Sequence, residues 1–198
     1  MVLAMVCISI LGSLVWGHHI YTIGLEADTR SSYTGITIMI SLPTGTITRN
    51  SPIPGYLYGT LILGMFTVGG STGIVLGNAA MDVSLHDTYY VIAHFHSILS
   101  LGSMVSILVG VLYSQDTQGI PVVPVGSGYL GVYLYLGVCI GVVVTFLPLH
   151  YLGYNTQPRR ILEYPDNYNC WSILSSLGSG TTVLSLLVIH PWSPQTPW

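Results

Sequence analysis

The stretch His86-Asp87-Thr88-Tyr89-Tyr90-Val91-Ile92-Ala93-His94-Phe95-His96 carries three imidazoles and a carboxylate into a long apolar run. An α-helix advances about 100° per residue, so His94 and His96 leave it toward roughly opposite faces. Two histidines so placed cannot easily grip one metal from a regular helix, but each can serve a different cofactor. The pattern reads as a wire between two centres.

Composition sets the solvent. Only 6% of the 198 residues are charged and 51% are hydrophobic, against roughly a quarter charged in ordinary globular chains; mean hydropathy is +0.67. Four basic and seven acidic side chains cannot cover a soluble surface, so this is an integral membrane protein in contact with lipid. A net charge of −3 and the lack of any basic run argue against nucleic acid. The basic residues are Arg30, Arg49, Arg159 and Arg160, and lysine is absent. Cys7, Cys139 and Cys170 form no C-x-x-C pair and read as packing residues. The chain opens on apolar sequence without a basic or Arg/Ser-rich leader, so neither signal nor transit peptide is expected.

Six apolar stretches follow, over 1–16, 32–48, 56–78, 88–113, 128–149 and 171–190. Most approach the ~20 residues that cross a ~30 Å hydrocarbon core. The expectation is an all-α, polytopic membrane helix bundle of six spans in one domain, with no separate soluble part. Small residues such as Gly69-Gly70 and Gly137-x-x-x-Gly141 suit close helix packing in lipid. Alternating the spans puts His18 and His19, then Asp82, His86 and Asp87, then the Arg159-Arg160 loop on one side. His94 and His96 sit ~9–12 Å along the fourth span from that side. Five histidines and an arginine pair converge on one half of the bilayer.

Each feature has a plainer reading. A histidine near a helix end is usually interfacial, and that suits His150 and His190. His18 and His19 diverge by about 100° on one helix, so they share a metal only if the helix end unwinds, which Gly17 permits. An ionisable group as deep as His94 or His96 is costly and by default functional. The Arg159-Arg160 pair is either a surface anchor or a bidentate partner for carboxylates.

The segments Val15-Trp-Gly-His-His-Ile-Tyr-Thr22, Asp28-Thr-Arg30, Leu42-Pro-Thr-Gly45, Phe66-Thr-Val-Gly-Gly70, His86 to His96, and Pro158-Arg-Arg160 with Tyr164-Pro-Asp166 occur in an order that resembles the haem-copper oxidase family, specifically subunit I of cytochrome c oxidases. The likeness covers nearly the whole chain but only the second half of that subunit, as for one product of a split gene supplying six of twelve helices. It implies that His18 and His19 are two of three copper ligands, and neutral imidazole suits that metal. It implies that His94 is the axial ligand of a high-spin haem and His96 one of two axial ligands of a low-spin haem; a single axial histidine leaves iron open to chemistry, whereas two close it. By the same resemblance His86 and Asp87 hold magnesium, Asp82 lies near a haem propionate, and Arg159 and Arg160 neutralise propionates. The cofactors implied are two haems, of the a type, with copper and magnesium. The activity implied is reduction of dioxygen to water, coupled to proton translocation, in the mitochondrial inner membrane or, alternatively, a bacterial plasma membrane. Implied partners are the chain carrying the N-terminal half, subunits II and III, and cytochrome c donating through subunit II.

Departures matter equally. The third copper histidine, its tyrosine, the second low-spin-haem histidine and the acidic proton-channel residues belong to the family's first half. The family's lysine after Pro-Thr-Gly is missing: Pro43-Thr44-Gly45-Thr46-Ile47-Thr48-Arg49 stands there, so an altered proton route using these threonines, Arg49 or a neighbouring chain is expected. Glu26 stands where an aspartate is common. Three arginines on the metal-bearing side against one opposite would point that side inward by charge counting, while the resemblance turns it to the intermembrane space; two of the three being committed to propionates favours the latter. A quinol-oxidising relative, a non-redox transporter and a remnant without catalysis are the competing readings. Haem content and the copper spectrum separate them.

Overall fold

A computed structural model describes the backbone of residues 2–50, 56–103, 106–107 and 129–189, with the side chains of 47–50, 56–62, 100–101, 129–135 and 188–189 left out. Among the described residues the chain is helical. Helix α1 (Val2–Leu14) runs into a 3-10 segment over Val15–Ile23. Then come α2 (Ala27–Met39), α3 (Ser41–Asn50), α4 (Tyr56–Gly77) and α5 (Ala79–Leu85). Helix α6 (Tyr89–Phe95) widens into a π-helix over His96–Ser103. Helix α7 (Tyr129–Tyr154) is followed by a 3-10 turn at Asp166–Tyr168 and by α8 (Asn169–Ile189).

Among the described residues, three helical stretches are long and apolar enough to cross a membrane: Val2–Ile23, Leu136–Tyr154 and Asp166–Leu187, with Leu63–Gly77 a shorter apolar helix. The first is longer than the expected 1–16 because the 3-10 segment prolongs it to Ile23. The second expected span divides at Ile40, and Pro43 explains the break: its ring excludes the carbonyl four residues back, that of Met39. The fourth is described only in part, and it is a π-helix from His96 rather than the regular α-helix assumed. His190 lies outside the described residues, as do the side chains of Thr48 and Arg49.

Small residues set the packing. A methyl group on Gly178 of α8 would lie 2.6 Å from the Thr145 amide nitrogen of α7, and one on Gly141 would strike Thr182, so the Gly137-x-x-x-Gly141 seam does join two helices. Gly153 passes directly over the Tyr90 backbone and seats α7 on α6. Tyr21, 1% exposed, ties the 3-10 segment to the end of α4 by donating its hydroxyl to Gly77 O at 2.9 Å. Asn78 and Thr88 cap α5 and α6, their side chains accepting from Ala80 N at 3.1 Å and Tyr90 N at 3.3 Å.

Candidate functional site

Two adjoining cavities occupy the space among these helices, of about 560 and 760 Å³, within the range that accepts cofactor-sized molecules. The smaller is lined by His18, His19, Asp82, His86, Asp87, His94 and Arg159, among others. Seven of the nine residues singled out thus line one cavity. His96 and Arg160 do not line it. The two cavities share His18, Gly73, His94 and Ile98.

His18 and His19 meet because the helix tightens there. The 3-10 segment carries a kink at Ile20 (φ −116°, ψ 20°), and the two Nε2 atoms come within 3.0 Å. Metal–nitrogen bonds of about 2.0 Å spanning that gap would subtend roughly a right angle, a plausible ligand angle. The 3.1 Å contact from His18 Nδ1 to Thr37 Oγ1 fixes the tautomer. Thr37 spends its own hydrogen on Tyr33 O at 2.7 Å, so it can only accept from His18, and the His18 Nε2 lone pair faces His19 Nε2, whose hydrogen it accepts. Gly17 is required by crowding, since a methyl there would sit 2.6 Å or less from atoms of the Tyr33 ring.

His94 is set in the same way. Its Nδ1 lies 3.0 Å from Gly69 O and 3.0 Å from Thr72 Oγ1. A carbonyl only accepts, so Nδ1 carries the hydrogen and Nε2 is available as a ligand. Gly73 makes room: a methyl would lie 2.6 Å from His94 Cε1. His96 donates Nδ1–H to Ile92 O of its own helix at 2.9 Å, again leaving Nε2 available. His96 lines neither of the two cavities, whereas His94 lines both. The ring of Phe95 stacks beside His96, centroids 4.2 Å apart.

Below the His18–His19 pair lies a charged cluster. Asp87 adopts φ 54°, a left-handed conformation that aspartate tolerates better than most residues. Its Oδ1 pairs with Arg159 Nε at 2.7 Å and its Oδ2 faces His86 Nε2 at 3.4 Å. Asp82 is 3.8 Å from His86 Nδ1, and burial raises its carboxyl above the usual carboxylate range against the opposing pull of His86. Among the described residues no three His, Cys, Asp or Glu side chains converge as a metal cluster; His18–His19 and His86–Asp87 are each a pair. Arg159 is held by Arg159 N→Asp87 O at 2.9 Å and Tyr89 N→Gln157 O at 3.1 Å, flanking the Thr88–Pro158 bridge. Arg160, at φ 62°, is exposed. His150 packs edge-on against Tyr90, centroids 5.1 Å apart, and donates Nδ1–H to Phe146 O at 2.8 Å, in keeping with a packing role. Thr37, Thr72 and Tyr21 escaped the sequence reading; a hydroxyl inside an apolar helix was the signal available.

A model of the family described as cytochrome C and quinol oxidase polypeptide I matches residues 1–181. The chain is 47% identical over 200 residues to cytochrome c oxidase subunit 1 of Plasmodium falciparum, covering 95% of this chain and 41% of the relative. It is 40% identical to the subunit 1 of Eremothecium gossypii, covering 95% and 36%, and 40% identical to that of Pecten maximus, covering 96% and 42%. The chain thus spans about two fifths of the length of the curated relatives it matches.

Proposed function

We propose, since this chain belongs to the cytochrome c and quinol oxidase polypeptide I family, that it forms the copper- and haem-holding part of the catalytic subunit of a cytochrome c oxidase. The observation that carries this is the meeting of His18 and His19 Nε2 at 3.0 Å on a cavity that His94 also lines. When bound, copper and two haems supply the four-electron reduction of dioxygen to water with electrons from cytochrome c. The polypeptide's part is ligation and spacing. His18 and His19 hold copper, with Thr37 fixing the His18 tautomer. His94 presents Nε2 to one iron, anchored through Gly69 and Thr72, while His96 presents Nε2 to another on the far face of α6.

Arg159, paired with Asp87, lends positive charge for haem propionates, and Arg160 does so from the adjacent position. Asp82, whose carboxyl burial raises above the usual carboxylate range, suits an acid beside a propionate. His86 and Asp87 supply an imidazole and a carboxylate to a magnesium ion, the carboxylate being the usual donor for that hard cation. The third copper ligand and the second axial ligand of the low-spin haem come from sequence outside these 198 residues, and subunits II and III complete the assembly. Eukaryotic relatives favour the mitochondrial inner membrane as its site.

Proton entry follows the hydroxyls of the larger cavity. Thr44, Ser41, Thr67 and Ser71 line it, and Thr67 and Ser71 donate to carbonyls of their own helix at 2.7 Å, so each oxygen can still accept from water. The test is the native complex purified through this chain. It should show haem absorption with copper and iron in defined ratio, and oxygen uptake driven by reduced cytochrome c. A complex without haem, or one oxidising only quinol, would sink the assignment.

A further inference from the structure

We propose, resting on the oxidase reading in which His94 Nε2 meets haem iron, that Thr72 tunes His94 as an axial ligand. It does so by dividing the imidazole Nδ1–H between two oxygens, which limits the electron density that reaches Nε2. Three contacts carry the assignment. His94 Nδ1 lies 3.0 Å from Gly69 O and 3.0 Å from Thr72 Oγ1, and Thr72 donates its hydroxyl to that same Gly69 O at 2.7 Å. The three atoms form a near-equilateral triangle, so an N–H aimed at one oxygen points well off the line to the other. The bond from His94 is shared and bent. With its own hydrogen committed to Gly69 O, Thr72 meets His94 only as an acceptor.

Gly69 O is heavily used. Its residue lies inside α4, where a carbonyl takes the amide of the residue four further on. Thr72 and His94 therefore bring its donors to three, for two lone pairs. A histidine that donates its second ring hydrogen to a carbonyl becomes a more basic ligand, and outer-shell hydrogen bonding is one lever a protein holds on haem iron. Thr72 works against that effect twice: it occupies the carbonyl, and it draws the N–H off line. Without the hydroxyl, the His94 N–H straightens onto Gly69 O alone. Thr72 is thus a positioning residue, acting on the iron through His94.

Resonance Raman spectroscopy and redox titration of the native complex, wild type beside Thr72→Ala and Thr72→Ser, test it. Alanine removes the hydroxyl and serine keeps it. Thr72→Ala should move the iron–histidine stretch of the reduced high-spin haem to higher wavenumber and lower that haem's potential. Thr72→Ser should match wild type. The low-spin haem, held through His96 with its Nδ1–H on Ile92 O, should keep its bands and potential in both. An unmoved or lowered stretch in Thr72→Ala, or a Thr72→Ser variant that shifts as alanine does, would overturn the proposal. If the alanine variant does not assemble, the wild-type structure at a resolution that fixes ring positions decides. His94 Nδ1 within hydrogen-bond distance of both oxygens supports the shared bond, and contact with Gly69 O alone overturns it. A complex that carries no haem fails the oxidase reading itself, whereas haem present with an unmoved stretch fails only the role of Thr72.

Discussion

Thr37→Val is the sharpest test of how the His18–His19 pair is built. Valine replaces the hydroxyl by a methyl group and keeps the Cγ2 that packs against Gly77, where a methyl on the glycine would come 2.5 Å from it. The change removes the acceptor 3.1 Å from His18 Nδ1 and the donor to Tyr33 O. His18 is half-buried, so its N–H loses a partner that solvent only partly replaces, at a cost of about 1–3 kcal/mol. Outer-shell losses at metal-bound histidines weaken metal binding by ~10–100-fold, and at about 1.4 kcal/mol per tenfold the two figures agree. The assay is copper retained per haem after graded exposure of the purified complex to a copper chelator. Thr37→Val should release copper at ~10–100-fold lower chelator concentration, while Thr37→Ser, which keeps the hydroxyl, should match wild type. Equal retention in Thr37→Val and wild type, with both assembled, would refute the claim that Thr37 sets the His18 tautomer.

Gly73→Ala places a methyl 2.6 Å from His94 Cε1 and should displace that ring alone; the high-spin haem absorption should fall while the low-spin band, which depends on His96, persists. Tyr21→Phe leaves Gly77 O without the 2.9 Å donor it now has in a site where Tyr21 is 1% exposed, and should destabilise the assembled complex by about 1–3 kcal/mol, read as a lower thermal midpoint. Asp87→Asn removes a half-exposed partner of Arg159, worth about 0–1 kcal/mol as an ion pair, so stability should barely move. The same variant should abolish the paramagnetic signal of manganese loaded in place of magnesium; an unchanged signal would remove Asp87 from that site.

Helical class and the grouping of His18, His19, Asp82, His86, Asp87, His94 and Arg159 were legible from hydropathy and span counting, because chain direction alone assigns each to one side. The pairing of His18 with His19 was open in the sequence: regular helical geometry argued against it, and only Gly17 hinted at an unwound end. The 3-10 tightening and the kink at Ile20 come from tertiary anchors, Tyr21 on Gly77 and Gly17 against Tyr33, and no local propensity announces those. The divided second span was hidden for another reason. Hydropathy averages over Pro43, whereas the backbone registers its missing N–H and its clash with the turn before it.

His94 and His96 stand two residues apart yet are anchored in unlike ways, and this bears on how two centres can share one helix. His94 takes its orientation from α4, through Gly69 O and Thr72, whereas His96 takes its from Ile92 O within α6. A shift of α4 against α6 therefore reorients one imidazole and leaves the other in place. The π-helix begins at His96, so His94 stands on a turn with α geometry, which ends at Phe95, and His96 opens the wider turn. π-turns inside helices are frequent at functional sites. Here the change of pitch lies on the side away from Tyr90 and Gly153, where α7 clamps the start of α6. His94 thus stands on the firmly held part of the rod, and His96 at the point where the helix widens.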